Sequence, residues 1–187
     1  MRYILASKSP RRRELLSEIV KDFEIITKEV DESLPADIHP REGVEILAIR
    51  KGKAVATEVG ENPLVISSDT LVEIGGFPLG KPIDKADAVS MLKMLSGNAH
   101  NVHTGVAVHF GGRVYSGVAT TAVFFRDMTD EEIIEYVDSG DPMDKAGSYG
   151  IQSGGGKFVE KIEGDYDTVV GLSVALTKRL IDEALND

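Results

Sequence analysis

The densest chemistry in the chain lies in Tyr3-Ile-Leu-Ala-Ser-Lys-Ser-Pro-Arg-Arg-Arg-Glu-Leu-Leu16. The stretch reads as a short buried strand that turns directly into a helix, with Ser9 as N-cap and Pro10 as the first helical residue. Arg11, Arg12 and Arg13 then place three cations in the first turn, where the helix dipole favours anions by about 0.3–1 kcal/mol per charge. Free N–H groups, the hydroxyls of Ser7 and Ser9 and a fork of guanidiniums form a polyphosphate site by physical design. A solvated, arginine-rich helix end uses the same residues, and this stretch alone does not choose between the two.

Five further residues have the types that phosphate chemistry needs. Asp69 and Thr70 follow the apolar run Leu64-Val-Ile-Ser-Ser68, bounded by Pro63, which reads as a buried strand delivering both at its carboxyl end, where ligands collect in open α/β sheets. An aspartate there binds a divalent cation, takes a proton from water, or simply caps a turn. Lys51 falls in the apolar stripe of a helix spanning Arg41 to Val59, between Leu47 and Val55, so it either snorkels outward or faces a site that wants a cation. Glu32 lies in the acidic loop Glu29-Val-Asp-Glu-Ser-Leu-Pro-Ala-Asp37, just past a strand end, and is a candidate metal ligand in a loop type that is usually just solvated. Lys81, pinned between Gly80 and Pro82, is presented by a stiff loop.

The elements that must position these residues follow from periodicity and caps. The first helix is expected to run to about Val20, and Phe23 to Thr27 reads as a second strand. Leu71 to Ile74 and the segment after Gly75-Gly76 read as a hairpin. Asp84 caps an amphipathic helix that buries Ala88, Met91, Leu92 and Leu95 and stops at Gly97. His100 to Phe110 alternates through Val102, Thr104, Val106 and Val108, then turns at Gly111-Gly112 into a long strand to Arg126. His100 and His103 point to opposite faces of that strand, which argues against a shared metal. Thr129-Asp-Glu-Glu132 is a capping box opening a helix that ends at Gly140. The polar stretch Asp141 to Gln152 and Gly154-Gly-Gly156 fits a backbone in close approach to a ligand, or a flexible loop. Lys157 to Ile162 reads as a strand, Gly164 to Asp167 as a turn, and Gly171 to Leu185 as a closing helix through Leu172, Ala175, Leu176, Leu180 and Ala184.

Composition sets outer limits. At 187 residues the chain fits one domain over residues 1–187, with room for two lobes. A formal net charge of −10 argues against stable binding to nucleic acid, so the triple arginine is a local positive focus on an acidic protein. The absence of cysteine excludes disulfides, thiolate nucleophiles and Cys-ligated zinc. The first residues lack an apolar region of signal-peptide length, and no apolar run approaches the ~20 residues of a membrane span, so a cytoplasmic protein with no membrane partner is expected.

Taken together, Leu5-Ala-Ser-Lys-Ser-Pro-Arg-Arg, Ser68-Asp-Thr70, Leu79-Gly-Lys-Pro82, Leu95-Ser-Gly-Asn-Ala-His100 with Thr104-Gly-Val106, Pro142 to Gln152, and Gly164-Asp-Tyr166 with Val169-Val-Gly-Leu172 resemble the Maf family of nucleotide pyrophosphatases. The resemblance covers nearly the whole chain. It implies an α/β fold of the Maf/ITPase-like kind, a twisted mixed β-sheet with flanking helices and two lobes around a deep cleft. It implies hydrolysis of a nucleoside triphosphate to monophosphate and pyrophosphate, with Asp69 as proton acceptor. Ser7, Ser9, Arg12, Lys51 and Lys81 would bind substrate, and Glu32 and Asp69 would hold a divalent cation such as Mg²⁺ or Mn²⁺. Arg11, Thr70 and Gln152 match positions that set base preference and resemble the subgroup acting on dTTP and UTP. A cytoplasmic homodimer is the implied assembly. The alternative is a nucleotide-binding regulator of division without turnover, since the family's name comes from a link to septum formation. Ser67-Ser68 departs from the small residues usual before the catalytic aspartate, and a hydroxyl so close is expected to retune that carboxylate. Asp167-Thr168 and Ser173 are further departures.

Overall fold

The computed structural model describes residues 1–187, and the chain folds as two compact units. The first comprises Met1–Thr70, Thr104–Ala119 and Gly171–Asp187; the second comprises Leu71–His103 and Thr120–Val170. In the first unit, β1 (Tyr3–Leu5) pairs in parallel with β2 (Glu24–Ile25) on one side and with the start of β3 (Leu64–Ile74) on the other. Its residues Ile4 and Leu5 are fully buried, as a strand flanked on both edges requires. Helix α1 (Pro10–Ser17) follows β1 after four residues, and α2 (Pro40–Val59) follows β2. A small core of Ile4, Ala6, Val55 and Val65 joins β1, β3 and α2.

Close approach of α2 to the sheet depends on two glycines. A Cβ at Gly105 would come within 2.5 Å of the Val44 carbonyl oxygen, and one at Gly52 within 2.5 Å of the His109 ring and the Ser67 hydroxyl. Gly105 and His109 belong to β5 (Ala99–Phe110), which turns at Gly111 and Gly112, both at positive φ, into β6 (Arg113–Phe125). On β6, Gly117 meets Leu176 of the closing helix α6 (Val174–Asn186).

In the second unit, β4 (Phe77–Leu79) pairs antiparallel with the end of β3, Val72 opposite Leu79, and β7 (Val159–Glu163) pairs antiparallel with the end of β6, Val123 opposite Ile162. Helices α3 (Lys85–Leu95) and α4 (Asp130–Asp138) cover a core that includes Val72, Leu92, Leu95, Val102, Phe125, Ile133, Tyr136 and Phe158. Asp84 and Thr129 cap them, and Thr129 with Glu132 forms the reciprocal capping box. Three short 3-10 turns carry Asp141–Asp144, Ala146–Ser148 and Gly154–Phe158, and α5 (Tyr166–Val170) precedes α6. The whole sheet has seven strands in the order β2-β1-β3-β5-β6-β7, with β4 on β3, so it is a mixed sheet with flanking helices. No helix is long and apolar enough to cross a membrane.

Several expectations from the sequence are corrected. The strand from Leu64 does not end at Ser68 but continues to Ile74, so Asp69 and Thr70 lie inside it; what ends near Ile66 is its parallel pairing with β1. The strict alternation along β5 does not describe its burial, because Gly105, Ala107 and His109 are buried like Val106 and Val108, with α2 packed on Gly105 through Val44 and on His109 through the Ile49 carbonyl. Helix α1 stops at Ser17, β2 spans only Glu24–Ile25, and the turn after Gly164 leads into α5. In α6 the buried face is Thr177, Leu180, Ile181 and Ala184, and Ala175 is exposed. Ser173 caps this helix by accepting the Leu176 N–H, so the helix starts at Val174 rather than Gly171, and Thr177 joins its buried face with its hydroxyl bonded to the Ser173 carbonyl.

Candidate active site

The site in the first unit starts where β1 ends. Ala6 N–H bonds the Ile66 carbonyl at 2.7 Å, and the chain then leaves the sheet through Ser7, Lys8 and Ser9. Ser9 is extended, and its hydroxyl accepts the Arg12 N–H, while Ser9 N–H donates to Ser7 Oγ at 3.2 Å. The first turn of α1 carries no acidic residue. Ser7 is buried, and its oxygen accepts two bonds, from Ser9 N and from Arg12 Nη1 at 3.4 Å, which leaves its own proton to donate.

Arg12 is fixed from three sides. Its Nε donates to the Gly171 carbonyl at 2.8 Å, Nη1 to Ser7, and Nη2 to Thr70 Oγ1 at 3.2 Å. Of the five N–H donors of a guanidinium, two are left for a ligand. Burial lowers its pKa, Asp69 and Glu32 work against that, and Arg11 adds to it. A guanidinium stays charged regardless, so Arg12 is a preorganised cation. Arg11 is half-buried and Arg13 is exposed.

Lys51 joins the two carboxylates singled out in the sequence. Its Nζ lies 2.7 Å from Asp69 Oδ1 and 2.7 Å from Glu32 Oε1. The Lys51 and Asp69 side chains are 19% and 15% exposed, against 61% for Glu32, so the loop carboxylate closes the solvent side of a largely shielded pair. Lys51 therefore does not snorkel away from the apolar stripe of α2; it meets an aspartate presented by β3. No group of three or more His, Asp or Glu side chains is placed to hold a metal ion. The acidic donors here are Asp69 and Glu32, which suits a hard divalent ion that takes one or two carboxylates and completes its shell with phosphate oxygens and water.

Thr70, assigned to base preference by resemblance, has its hydroxyl 3.0 Å from Thr104 Oγ1 and accepts from Arg12. The two serines before Asp69 do not act on its carboxylate as expected. Ser67 Oγ donates to the Ala48 carbonyl at 2.7 Å and Ser68 Oγ to the Gly171 carbonyl at 2.9 Å, so both hydroxyls satisfy buried backbone oxygens. Gly171 is the residue that sequence reasoning missed: its one carbonyl accepts from Arg12 and Ser68, and its φ of +131° suits glycine. The Val169-Val-Gly-Leu172 segment was visible in the sequence, but nothing local links it to α1.

In the second unit, Lys81 is exposed in the loop after β4, and Gln152 is exposed after the second 3-10 turn. The two loops are joined by Gly147 N–H donating to the Gly80 carbonyl at 3.0 Å. Gly147 has φ +69°, and a Cβ there would sit 2.7 Å from Val72 Cγ2. His100 and His103 are buried in separate networks: His100 Nε2 lies 2.8 Å from Tyr149 Oη, and His103 Nε2 lies 3.0 Å from Glu73 Oε2.

Comparison with known proteins gives a consistent answer. The family model described as Maf-like protein matches residues 2–184. A protein named dTTP/UTP pyrophosphatase from Carboxydothermus hydrogenoformans is 48% identical over 185 residues, covering 98% of each chain. Proteins of the same name from Vibrio cholerae serotype O1 and Geobacillus sp. (strain WCH70) are each 47% identical, covering 95% and 94% of both chains respectively. Among solved structures, the Staphylococcus aureus Ham1 protein superposes with a TM-score of 0.52 at 16% identity, covering 100% of this chain and 95% of that one, which shows a shared fold.

Proposed function

The chain belongs to the Maf family, and on that premise we propose that it is a nucleoside triphosphate pyrophosphatase that hydrolyses dTTP and UTP to the monophosphate and pyrophosphate. The observation that carries the reading is the Asp69–Lys51–Glu32 junction, built in the same unit as the N-terminus of α1 and the fixed Arg12.

In this reading the triphosphate lies at the start of α1, where backbone N–H groups, the Ser7 and Ser9 hydroxyls, Arg12 and Lys51 offset its charge. Asp69 Oδ1 is held by Lys51, and Oδ2 accepts a proton from water. That water attacks the α-phosphorus, the bond from the α-phosphorus to the bridging oxygen breaks, and its electron pair leaves with pyrophosphate. Glu32 and Asp69 would hold Mg²⁺ or Mn²⁺, which supplies Lewis acidity toward the phosphate oxygens. By resemblance to the family, Lys81 is a further substrate-binding cation. Arg11, Thr70 and Gln152 set the base preference, and a glutamine amide matches a pyrimidine edge with adjacent donor and acceptor groups. These roles rest on family resemblance, as do a cytoplasmic location and a homodimeric assembly.

Hydrolysis of dTTP in ¹⁸O-labelled water tests the chemistry directly. Label in thymidine monophosphate and none in pyrophosphate is the expected result; label in pyrophosphate would place the attack on the β-phosphorus and overturn the proposed geometry.

A further inference from the structure

Gln152 sits in a turn whose two ends are tied to one carboxylate. Asp141 Oδ2 accepts from Tyr136 Oη at 2.6 Å and from Ser153 Oγ at 2.6 Å, and Oδ1 accepts from Lys145 Nζ at 3.1 Å. Tyr136 Oη in turn accepts the Gly150 N–H at 3.1 Å, and Ser153 N–H closes the turn on the Gly150 carbonyl at 3.2 Å. The residues two before and one after Gln152 are thus both held by the Tyr136–Asp141 pair.

The packing leaves this turn little freedom. A Cβ at Gly150 would meet Ser153 Oγ at 2.5 Å and Lys145 Cε at 2.6 Å, and one at Gly154 would meet the Tyr136 ring at 2.9 Å. The Tyr136 ring is itself anchored in the core, edge-on to Phe158 with ring centroids 5.4 Å apart, and the side chain is 3% exposed. Burial alone would push the Asp141 carboxyl up, but the bonds from Ser153, Tyr136 and Lys145 outweigh it and leave the group below its ordinary value. The acceptor is therefore ionised, and in place, at neutral pH.

We propose that Asp141 and Tyr136 are positioning residues for base recognition: their hydrogen-bonded pair fixes the 150–153 turn, and through it the Gln152 amide, without touching the substrate. The inference rests on Gln152 reading the base. It gives the α4 C-terminal region a specific task, that of transmitting the rigidity of the aromatic core to one exposed amide. An exposed glutamine on a free loop would have to be ordered on binding at a cost in affinity; this latch orders it beforehand.

The test compares Tyr136→Phe, Asp141→Asn, Ser153→Ala and Gln152→Ala in the full chain. Tyr136→Phe removes a single oxygen and preserves the core, so it stays informative where Asp141→Asn fails to fold. Kinetics are measured with dTTP, UTP and CTP, and inorganic tripolyphosphate serves as an inhibitor that has no base. The expected result is that Tyr136→Phe and Asp141→Asn raise KM for dTTP and UTP about tenfold and compress their preference over CTP, with kcat within about twofold. The tripolyphosphate inhibition constant stays unchanged, and adding Tyr136→Phe to Gln152→Ala has no further effect. If Gln152→Ala changes selectivity while Tyr136→Phe and Asp141→Asn do not, the latch is overturned and the role of Gln152 stands. If the variants weaken tripolyphosphate binding and kcat as much as KM, the pair is merely structural and the proposal fails. If Gln152→Ala leaves selectivity unchanged, the role of Gln152 fails, and the latch with it.

Discussion

At the scale of single residues, the proposed chemistry depends on which charges are paired and which hydroxyls are already committed. Lys51 holds Asp69 and Glu32 at 2.7 Å each, so Lys51→Met leaves two carboxylates facing each other without the cation they share. We expect kcat/KM to fall by at least about 100-fold and stability to drop by about 1–2 kcal/mol, read from steady-state kinetics and a urea titration. Ser68 makes the opposite case. Its hydroxyl is spent on the Gly171 carbonyl, which Arg12 also serves, so Ser68→Ala should cost about 1 kcal/mol of stability and leave kcat nearly unchanged. A large fall in kcat for Ser68→Ala would reinstate the idea that the hydroxyl tunes Asp69. The contrast marks what a sequence reveals at this scale. Lys51 was legible because a lysine in an apolar helical stripe demands an explanation. The target of Ser68 was not, because Gly171 lies 103 residues away and no local pattern joins them.

At the scale of elements, helix caps were legible, whereas strand extent and one helix face were not. Ser9-Pro10, Asp84 and Thr129 with Glu132 mark helix starts because capping is a contact between residues three apart, and all three caps are present. The extent of β3 depended on partners outside the segment, and the face of α6 on a hydroxyl bond one turn away that an apolar pattern does not register. Ser67 and Ser68 continue a strand through a polar run because distant carbonyls accept their hydroxyls, and Thr177 is buried in α6 because its Oγ1 bonds the Ser173 carbonyl at 2.6 Å. The same reasoning identifies Gly105 as a determinant of where α2 lies. A methyl group there must displace the Val44 backbone, so Gly105→Ala should destabilise the protein by about 1–3 kcal/mol. Because α2 carries Lys51, activity should fall with it; a denaturation midpoint unchanged from wild type would show that α2 gives way without cost.

At the scale of the whole molecule, pH and substrate choice are the readouts. His100 is 3% exposed and burial pushes its pKa from 6.5 down to about 4. Burial also lowers that of His109. The folded protein keeps His100 neutral, while the unfolded chain takes a proton below about pH 6.5, so the unfolded state gains as pH falls. Stability is therefore unaffected by this group above pH 6.5 and declines between pH 6.5 and 4 by up to about 3 kcal/mol, at 1.36 kcal/mol per unit. Urea midpoints at pH 8, 6.5 and 5 should show the loss, and His100→Asn should flatten it. Metal-assisted hydrolysis that releases pyrophosphate, with Asp69 as the base, is tested by one assay: pyrophosphate release from dTTP, UTP, CTP, GTP and ATP with Mg²⁺ or Mn²⁺, beside Asp69→Asn. Metal-dependent release led by dTTP and UTP is expected, with a loss of at least about 100-fold in the variant and nucleotide still bound. Undiminished release by Asp69→Asn, or none from any nucleotide by the wild type, would contradict it.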